Sequence, residues 1–365
     1  MKADRIKVLM VGPDRSVHGG ISAMVNGYYE AGLDRWVNLK YIGTMKEGSR
    51  GRKLMVAVAA YLKFVMALNS CDVVHVNAAS DNSFMRKSLF VRAARLRGKK
   101  IVLHQHGGDF KNYYANEITD RSRKYIKDTL DMADIMLVLT PSWKEYFGAL
   151  TDESKIKVLP NGVMTRKKNV KNRSDGEDER HGGPGAVHDV RKILFLGRIC
   201  RDKGMDELFK ALDFIHEKEP GVCLYIGGIY EDPSYREEIV ARADYVRYIG
   251  WIAGEEKEQY LEECGILVLP SYYEGLPVTV LEAMNSGLVV VATKVGGIPE
   301  IVEDGRDGIL VPPKDADALK EALLKVIRRE YDTDALLSHA LETVRNKYSI
   351  EHCIEELVEV YKSLC

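Results

Sequence analysis

Residues Ser271–Gly297 read SYYEGLPVTVLEAMNSGLVVVATKVGG, and the fold follows from them. The apolar run Ile266–Pro270 just before them has the character of a buried strand, and Gly275 with Pro277 marks a turn. Pro277 suits a first helical position, because the N–H it lacks would have no helical partner there. Glu282 then falls about a turn and a half into a helix of ~3.6 residues per turn. Glu274 stands outside that helix, at the mouth of the turn, and the apolar run that follows completes a β-α-β unit. Free N–H groups and the positive dipole end make such a helix start an anion site. A phosphate held there would lie between two carboxylates, which repel it but accept hydrogen bonds from hydroxyls. A sugar joined to a nucleoside diphosphate meets both demands. The plainer alternative is a solvated helix glutamate and an unrelated turn residue.

Working outward, strand and helix signals alternate along the whole chain. Ile6–Val11 leads into Gly12-Pro13-Asp14-Arg15-Ser16-Val17-His18-Gly19-Gly20 and a helix from about Ile21. This is strand, glycine loop, helix, a geometry that lets backbone approach a ligand, or else a tight turn. It lacks the G-x-G-x-x-G spacing of a dinucleotide fold, and His18 has no evident role. Further strands are expected at Val37–Ile42, Asp72–Val76, Lys100–His104, Asp134–Leu139 and Ile156–Leu159, and in the second half at Arg191–Leu196, Leu224–Ile226 and Val246–Ile249. The alternation predicts an α/β protein with parallel sheets covered on both faces. Ligands then bind past the carboxyl ends of the strands. His106 lies there, in His104-Gln105-His106-Gly107-Gly108-Asp109. A loop histidine of this kind is often only a structural hydrogen-bonder. His104 belongs to the strand end, and with no third ligand evident the pair does not read as a metal site.

The chain has 365 residues, enough for two domains. Apolar residues make up 45% and charged residues 29%, an ordinary globular balance. The net charge of −1 conceals an asymmetry: residues 1–165 carry 26 Lys+Arg against 16 Asp+Glu, and the remainder carries the excess of acid. A basic first half suits an anionic partner or a membrane, or simply a solvated surface. Lys46–Asn69 sets Arg50, Arg52 and Lys53 before an apolar helix. Residues 85–100 interleave Arg86, Lys87, Arg92, Arg95, Arg97, Lys99 and Lys100 with Leu89, Phe90, Val91 and Leu96. The second segment is the expected contact with an anionic membrane, its alternative being a sheet-covering helix with a solvated face. No run of eighteen apolar residues occurs, so no membrane span is expected. The opening MKADRIKVLMVGPD reads as a first strand rather than a leader. Cys71, Cys200, Cys223, Cys264, Cys353 and Cys365 lack metal or redox spacing and read as reduced thiols of a cytoplasmic protein.

Arg166–Asp189 has almost no large apolar residues and reads as a flexible linker, with His181 and His188 too loosely placed to be ligands. Gly197-Arg198 and Lys203-Gly204 follow the next strand. Asp315-Ala316-Asp317 and Asp332-Thr333-Asp334 fall at helix starts, where aspartate caps free N–H groups. Helices are expected from about Ala316, Asp334 and Glu351.

Glu274 and Glu282, with seven residues between them, together with Leu269-Pro270-Ser271, Val295-Gly296-Gly297-Ile298-Pro299-Glu300 and Asp307-Gly308-Ile309-Leu310-Val311-Pro312, resemble the C-terminal domain of retaining glycosyltransferases of the GT-B fold, family 4. The Gly197-Arg198…Lys203-Gly204 string and His106-Gly107-x-Asp109 match the same family. Met164 departs from it, since an acidic residue often stands there. The resemblance implies two Rossmann-like domains facing across a cleft: 1–165 on the acceptor side, completed by the C-terminal helix 349–365, then the linker 166–189, then the nucleotide-sugar domain 190–348. It implies a hexosyltransferase that moves a sugar from a UDP- or GDP-sugar to a hydroxyl of a glycan or lipid-linked acceptor by a front-face route, at the inner face of the membrane. It needs no metal or other cofactor and binds no nucleic acid. In that picture His106 reaches the reacting sugar. Arg198 and Lys203 stabilise the departing diphosphate, near which lie Gly19, Gly20 and Gly197. Glu274 with the N–H groups of Gly275 and Leu276 holds the sugar ring, and Glu282 takes the ribose hydroxyls. Trp251 and Ile252 edge the base, although Trp251 could equally serve packing. A nucleotide-sugar epimerase and a non-catalytic partner subunit are the alternatives.

Overall fold

A computed structural model describes residues 5–165 and 188–365, without the side chains of Arg50 and Asn82. The expected linker lies outside the described residues as far as 187, as do His181 and residues 1–4. The end of that stretch is not linker. His188 donates from Nδ1 to the Cys264 carbonyl at 3.0 Å, and Asp189 opens a strand. The described residues form two units. The first takes those of Met1–Met164, Gly275–Val278 and Tyr348–Cys365, and the second those of Thr165–Glu274 and Thr279–Lys347.

The first unit holds a six-stranded sheet: β1 (Lys7–Gly12), β2 (Asn38–Gly43), β3 (Val73–Ala78), β4 (Lys100–Gln105), β5 (Ile135–Val138) and β6 (Ile156–Val158), in the order β2-β1-β3-β4-β5-β6. All neighbours are parallel. Successive side chains alternate between faces. Leu9 and Val11 therefore enter one core with Phe64 of α2 (Arg50–Ala67) and Phe90 of α3 (Asp81–Leu96). Val8 and Met10 enter the other core, with Val25 of α1 (Gly20–Glu30) and Ile354 and Leu357 of the last helix, Ile350–Lys362. That helix is capped by Ser349, which accepts from His352 N–H at 3.2 Å.

The second unit repeats the plan with β7 (Asp189–Leu196), β8 (Cys223–Gly227), β9 (Val246–Gly250), β10 (Cys264–Leu269), β11 (Val289–Thr293) and β12 (Ile309–Val311), in the order β12-β11-β10-β7-β8-β9. The strands are again parallel. The near-continuous apolar runs Ile193–Leu196, Cys264–Leu269 and Val289–Ala292 are buried, as strands covered on both faces must be. The helices that matter below are α4 (Met205–Lys218), α5 (Gly254–Glu263) and α6 (Val278–Ser286). Asp315 and Asp332 cap helix starts, accepting from Ala318 N–H at 2.8 Å and Ala335 N–H at 3.0 Å.

Two expectations change. The basic segment 85–100 is a sheet-covering helix that runs on into β4, and three of its cations, Lys87, Arg92 and Lys99, are drawn into the fold while Arg86, Arg95, Arg97 and Lys100 stay exposed. Lys87 is buried with Nζ on Thr44 Oγ1. Arg92 lies 4.0 Å over the Tyr125 ring, Arg95 is 3.7 Å from Asp134, and Lys99 donates to the Cys71 carbonyl. Conversely, Gly51–Ser70 is long and apolar enough to cross a membrane by length and composition alone. Lys63 interrupts its apolar run without outweighing it, which is why a search for uninterrupted runs passes over it.

Candidate functional site

Parallel sheets bind ligands where strand order reverses, because the loops at that point diverge and leave a crevice. In the second sheet the reversal lies between β7 and β10, since β8 and β9 continue one way and β11 and β12 the other. The loop after β7 carries Gly197, Arg198 and Lys203, and the loop after β10 carries Glu274. Lys203 Nζ is 2.5 Å from Glu274 Oε1, and Ser271 Oγ donates to the same oxygen at 2.7 Å. The two charged side chains are only 14% and 12% exposed. Thr293, ending β11, donates from Oγ1 to the Ser271 carbonyl at 2.5 Å.

Glycine makes this assembly possible at two points. Gly204 has φ 70°, and a Cβ there would lie 2.1 Å from the Pro270 carbonyl oxygen. Gly296 has φ 53°, and its Cβ would lie 1.8 Å from the Glu274 carbonyl oxygen. Both positions therefore need a left-handed residue without a side chain. Tyr272 N–H donates to the Asp202 carbonyl at 2.8 Å, tying the β7 and β10 loops together.

The remaining charges are also paired. Arg198 meets Glu231 at 2.5 Å with both side chains about half exposed, 52% and 50%. Such a surface pair is worth at most ~1 kcal/mol and is readily exchanged. Glu282, on α6, meets Lys257 of α5 at 2.6 Å. Trp251 is exposed and Ile252 is buried just after β9.

In the first sheet the reversal lies between β1 and β3. Gly19 and Gly20 stand there at the start of α1, and a Cβ at either would meet nothing within 4 Å. Next to it is a column of histidines, His75 on β3, His104 on β4 and His106 just past β4. His75 and His104 are fully buried, and the His104 ring is 4.0 Å from that of His106. His106 Nε2 is 3.1 Å from Asn77 Oδ1, and Asn77 Nδ2 donates to the Val11 carbonyl at 3.2 Å. The amide orientation is therefore set, and His106 must carry its proton on Nε2, leaving Nδ1 as an acceptor. Burial pushes the His106 ring down to about 3 and His75 likewise to about 3, so both are neutral near pH 7. His104 is pushed well down by burial and by its two neighbours.

Gly275 and Leu276 group with this first unit. Asn161 Nδ2 donates to the Leu276 carbonyl at 2.7 Å, Leu276 is buried, and a Cβ on Gly275 would lie 2.8 Å from the His106 carbonyl oxygen. A cavity of about 350 Å³ lined by Lys7, Asn38, Lys40, Asn69 and Asp72 sits at the amino ends of β1 and β2. It lies at the other end of the sheet from His106 and takes no part in this site.

The structure thus brings Arg198, Lys203, Glu274 and Glu282 to one end of the second sheet, and Gly19, Gly20 and His106 to the corresponding end of the first. Sequence reasoning missed Ser271, Thr293, Lys257 and Glu231 as partners, and Asn77 as the group that orients His106. Of these, Ser271 and Thr293 stood inside the deciding stretch.

Residues 190–329 match a family profile described as glycosyl transferases group 1, and residues 28–167 match one described as Glycosyltransferase Family 4. An amylovoran biosynthesis glycosyltransferase of Erwinia amylovora is 27% identical over 306 residues, covering 80% of this chain and 70% of that protein. Among solved structures, sucrose-phosphate synthase from Thermosynechococcus elongatus superimposes with a TM-score of 0.76 at 20% identity, covering 99% of both chains. Anabaena HepE in complex with UDP-glucose gives 0.76 at 16% identity, covering 98% of this chain and all of the other.

Proposed function

The chain belongs to the group 1, family 4 glycosyltransferases of the GT-B fold and is a transferase of EC class 2.4, and from that premise we propose the reaction its residues serve. The donor is a nucleoside diphosphate sugar, a UDP- or GDP-sugar, and no metal or other cofactor takes part. The acceptor is a hydroxyl of a glycan or lipid-linked glycan, in polysaccharide assembly at the cytoplasmic face of a membrane. The observation that carries the reading is the Lys203–Glu274–Ser271 cluster at the strand reversal, with Arg198 beside it on the β7 loop.

Lys203 and Arg198 neutralise charge that grows on the diphosphate as the bond from the sugar C1 to phosphate oxygen breaks. A preorganised donor of this kind is worth ~2.7–4 kcal/mol in the transition state. Glu274, one oxygen of which already holds Lys203 and Ser271, uses its remaining capacity on sugar hydroxyls together with the backbone of Gly275 and Leu276. That commitment suits a hydrogen-bonding carboxylate better than a nucleophile. Glu282 accepts from the ribose hydroxyls, and Trp251 with Ile252 edges the base. Neutral His106 offers Nδ1 to a sugar hydroxyl. Gly19, Gly20 and Gly197 leave room for the diphosphate. The departing phosphate oxygen takes the acceptor's proton while the acceptor oxygen bonds to C1 on the same face, so configuration is retained.

A thermal-shift panel of nucleotide sugars tests the donor: one UDP- or GDP-sugar should raise Tm well above its neighbours. If no member of the panel shifts Tm, the donor assignment fails.

A further inference from the structure

α2 carries apolar side chains on both its inner and its outer face, and among the described residues only the inner face is packed against the fold. Inward, Ala60, Phe64 and Ala67 are buried, and the Phe64 ring lies 4.9 Å from Phe90 of α3. Outward, at ~100° per residue, Met55, Val58, Ala59, Leu62 and Met66 fall on a single face. Met55 is 68% exposed, Val58 52%, Leu62 58% and Met66 73%. Scattered exposed apolar residues are ordinary, but a continuous stripe marks a contact surface. From Met55 to Met66 the stripe runs ~16 Å at 1.5 Å per residue. Leu54 adds to it at 67% exposed, and α3 contributes Leu89 and Leu96, exposed close to the Phe90 that α2 packs on.

Charge identifies what covers this face. Residues 48–71 contain Arg50, Arg52, Lys53 and Lys63 and no aspartate or glutamate. Arg52, Lys53 and Lys63 are exposed. A second copy of the chain would bring the same cations against them. An anionic bilayer supplies both a layer for the methionines and leucines and a negative surface for the flanking cations. Spanning is excluded by the buried inner face, which is already committed to the sheet, so the helix lies in the plane of the interface.

We propose that α2, rather than the segment 85–100, is an in-plane anchor that docks the first unit on an anionic lipid surface. This deepens the membrane part of the function proposed above, and it stands or falls apart from the donor chemistry.

The test is flotation of the full chain with phosphatidylcholine–phosphatidylglycerol vesicles and with phosphatidylcholine alone, for the wild type and for a Met55→Gln, Leu62→Gln, Met66→Gln triple variant. All three positions are exposed, so the variant should keep the wild-type Tm. The wild type should float with the anionic vesicles, less so as salt rises, and the variant should bind at least ~10-fold more weakly. Equal flotation of variant and wild type, or no flotation of the wild type, overturns the proposal. So does a wild-type dimer in sedimentation that the variant turns into a monomer, since the stripe would then seat a second copy. A donor-induced thermal shift retained in the variant separates loss of docking from loss of the transferase site.

Discussion

The two sheets end differently. Past the strand reversal of the second sheet, each of Arg198, Lys203, Glu274 and Glu282 holds a partner of opposite sign. Past that of the first sheet stand an amide and a neutral imidazole, beside glycines that leave open space. Paired charges are preorganised yet exchangeable: a phosphate can share Lys203 with Glu274 without any group having to be dragged from water. Neutral groups in a buried setting can read hydroxyls without attracting the wrong anion. In the proposed reaction, the difference assigns charge handling to the second sheet and the reading of hydroxyls to the first.

The largest effects should come from the paired-charge end. Glu274→Ala, Lys203→Ala and Arg198→Ala are each expected to slow transfer by at least ~100-fold, the cost of one transition-state donor. Glu231→Gln is the contrasting control. It removes only a half-exposed partner of Arg198, and kcat/KM should stay within a few-fold of wild type. If all three alanine variants keep near-normal rates while folded, the division between the sheets is mistaken.

At the neutral end, His106→Asn should lower kcat/KM without removing any ionisation near pH 6.5, because burial keeps the wild-type ring uncharged down to about 3. A pH–rate profile whose limb near pH 6.5 vanishes in the variant would break the comparison. The buried histidines also make a stability prediction. Their folded pKa values lie below the unfolded value, so the unfolded state binds more protons as pH falls from ~6.5 toward ~3, and stability drops through that window. At pH 5, His75 alone should cost ~2 kcal/mol relative to pH 8. Chemical denaturation of His75→Leu against wild type across that range measures it, and the variant should have the shallower slope.

The smallest effect belongs to Lys87, the one buried cation named here that does not sit against a carboxylate. Burial pushes its ammonium down to about 7. With the folded value below the unfolded one, wild-type stability should rise between pH 7 and ~10.5. Lys87→Met should flatten that rise and add up to ~1–2 kcal/mol at pH 7. Denaturation midpoints at pH 7 and pH 9.5 check both.

Much of the fold was legible because buried parallel strands are written as short apolar runs, and Ile266–Pro270 and Lys100–His104 could be read directly. The loop positions were legible too, since they follow the strand ends. Their partners were not. Glu231 lies 33 residues from Arg198 and Lys257 lies 25 from Glu282, and no local pattern announces which cation meets which carboxylate. The two helices α2 and α3 misled in opposite directions. Periodicity shows that a helix is apolar or basic, but not which side meets the sheet. In α3 a run of cations turned out to be anchored by Thr44, Tyr125 and Asp134. In α2 an ordinary-looking core helix left Met55, Val58, Leu62 and Met66 exposed.

The last helix has a consequence for synthesis. Ile350, Cys353, Ile354, Leu357 and Tyr361 seal one face of the sheet that begins at Lys7, and Val163 bridges to Ser349. A ribosome finishes the first sheet's strands long before it makes their cover. At ~5–20 residues per second, the stretch from Met164 to Tyr348 takes roughly 10–40 s. Throughout that delay Val8, Met10, Val73 and Val102 lack the cover of Ile350–Lys362, so the nascent chain should depend on chaperones until that helix emerges.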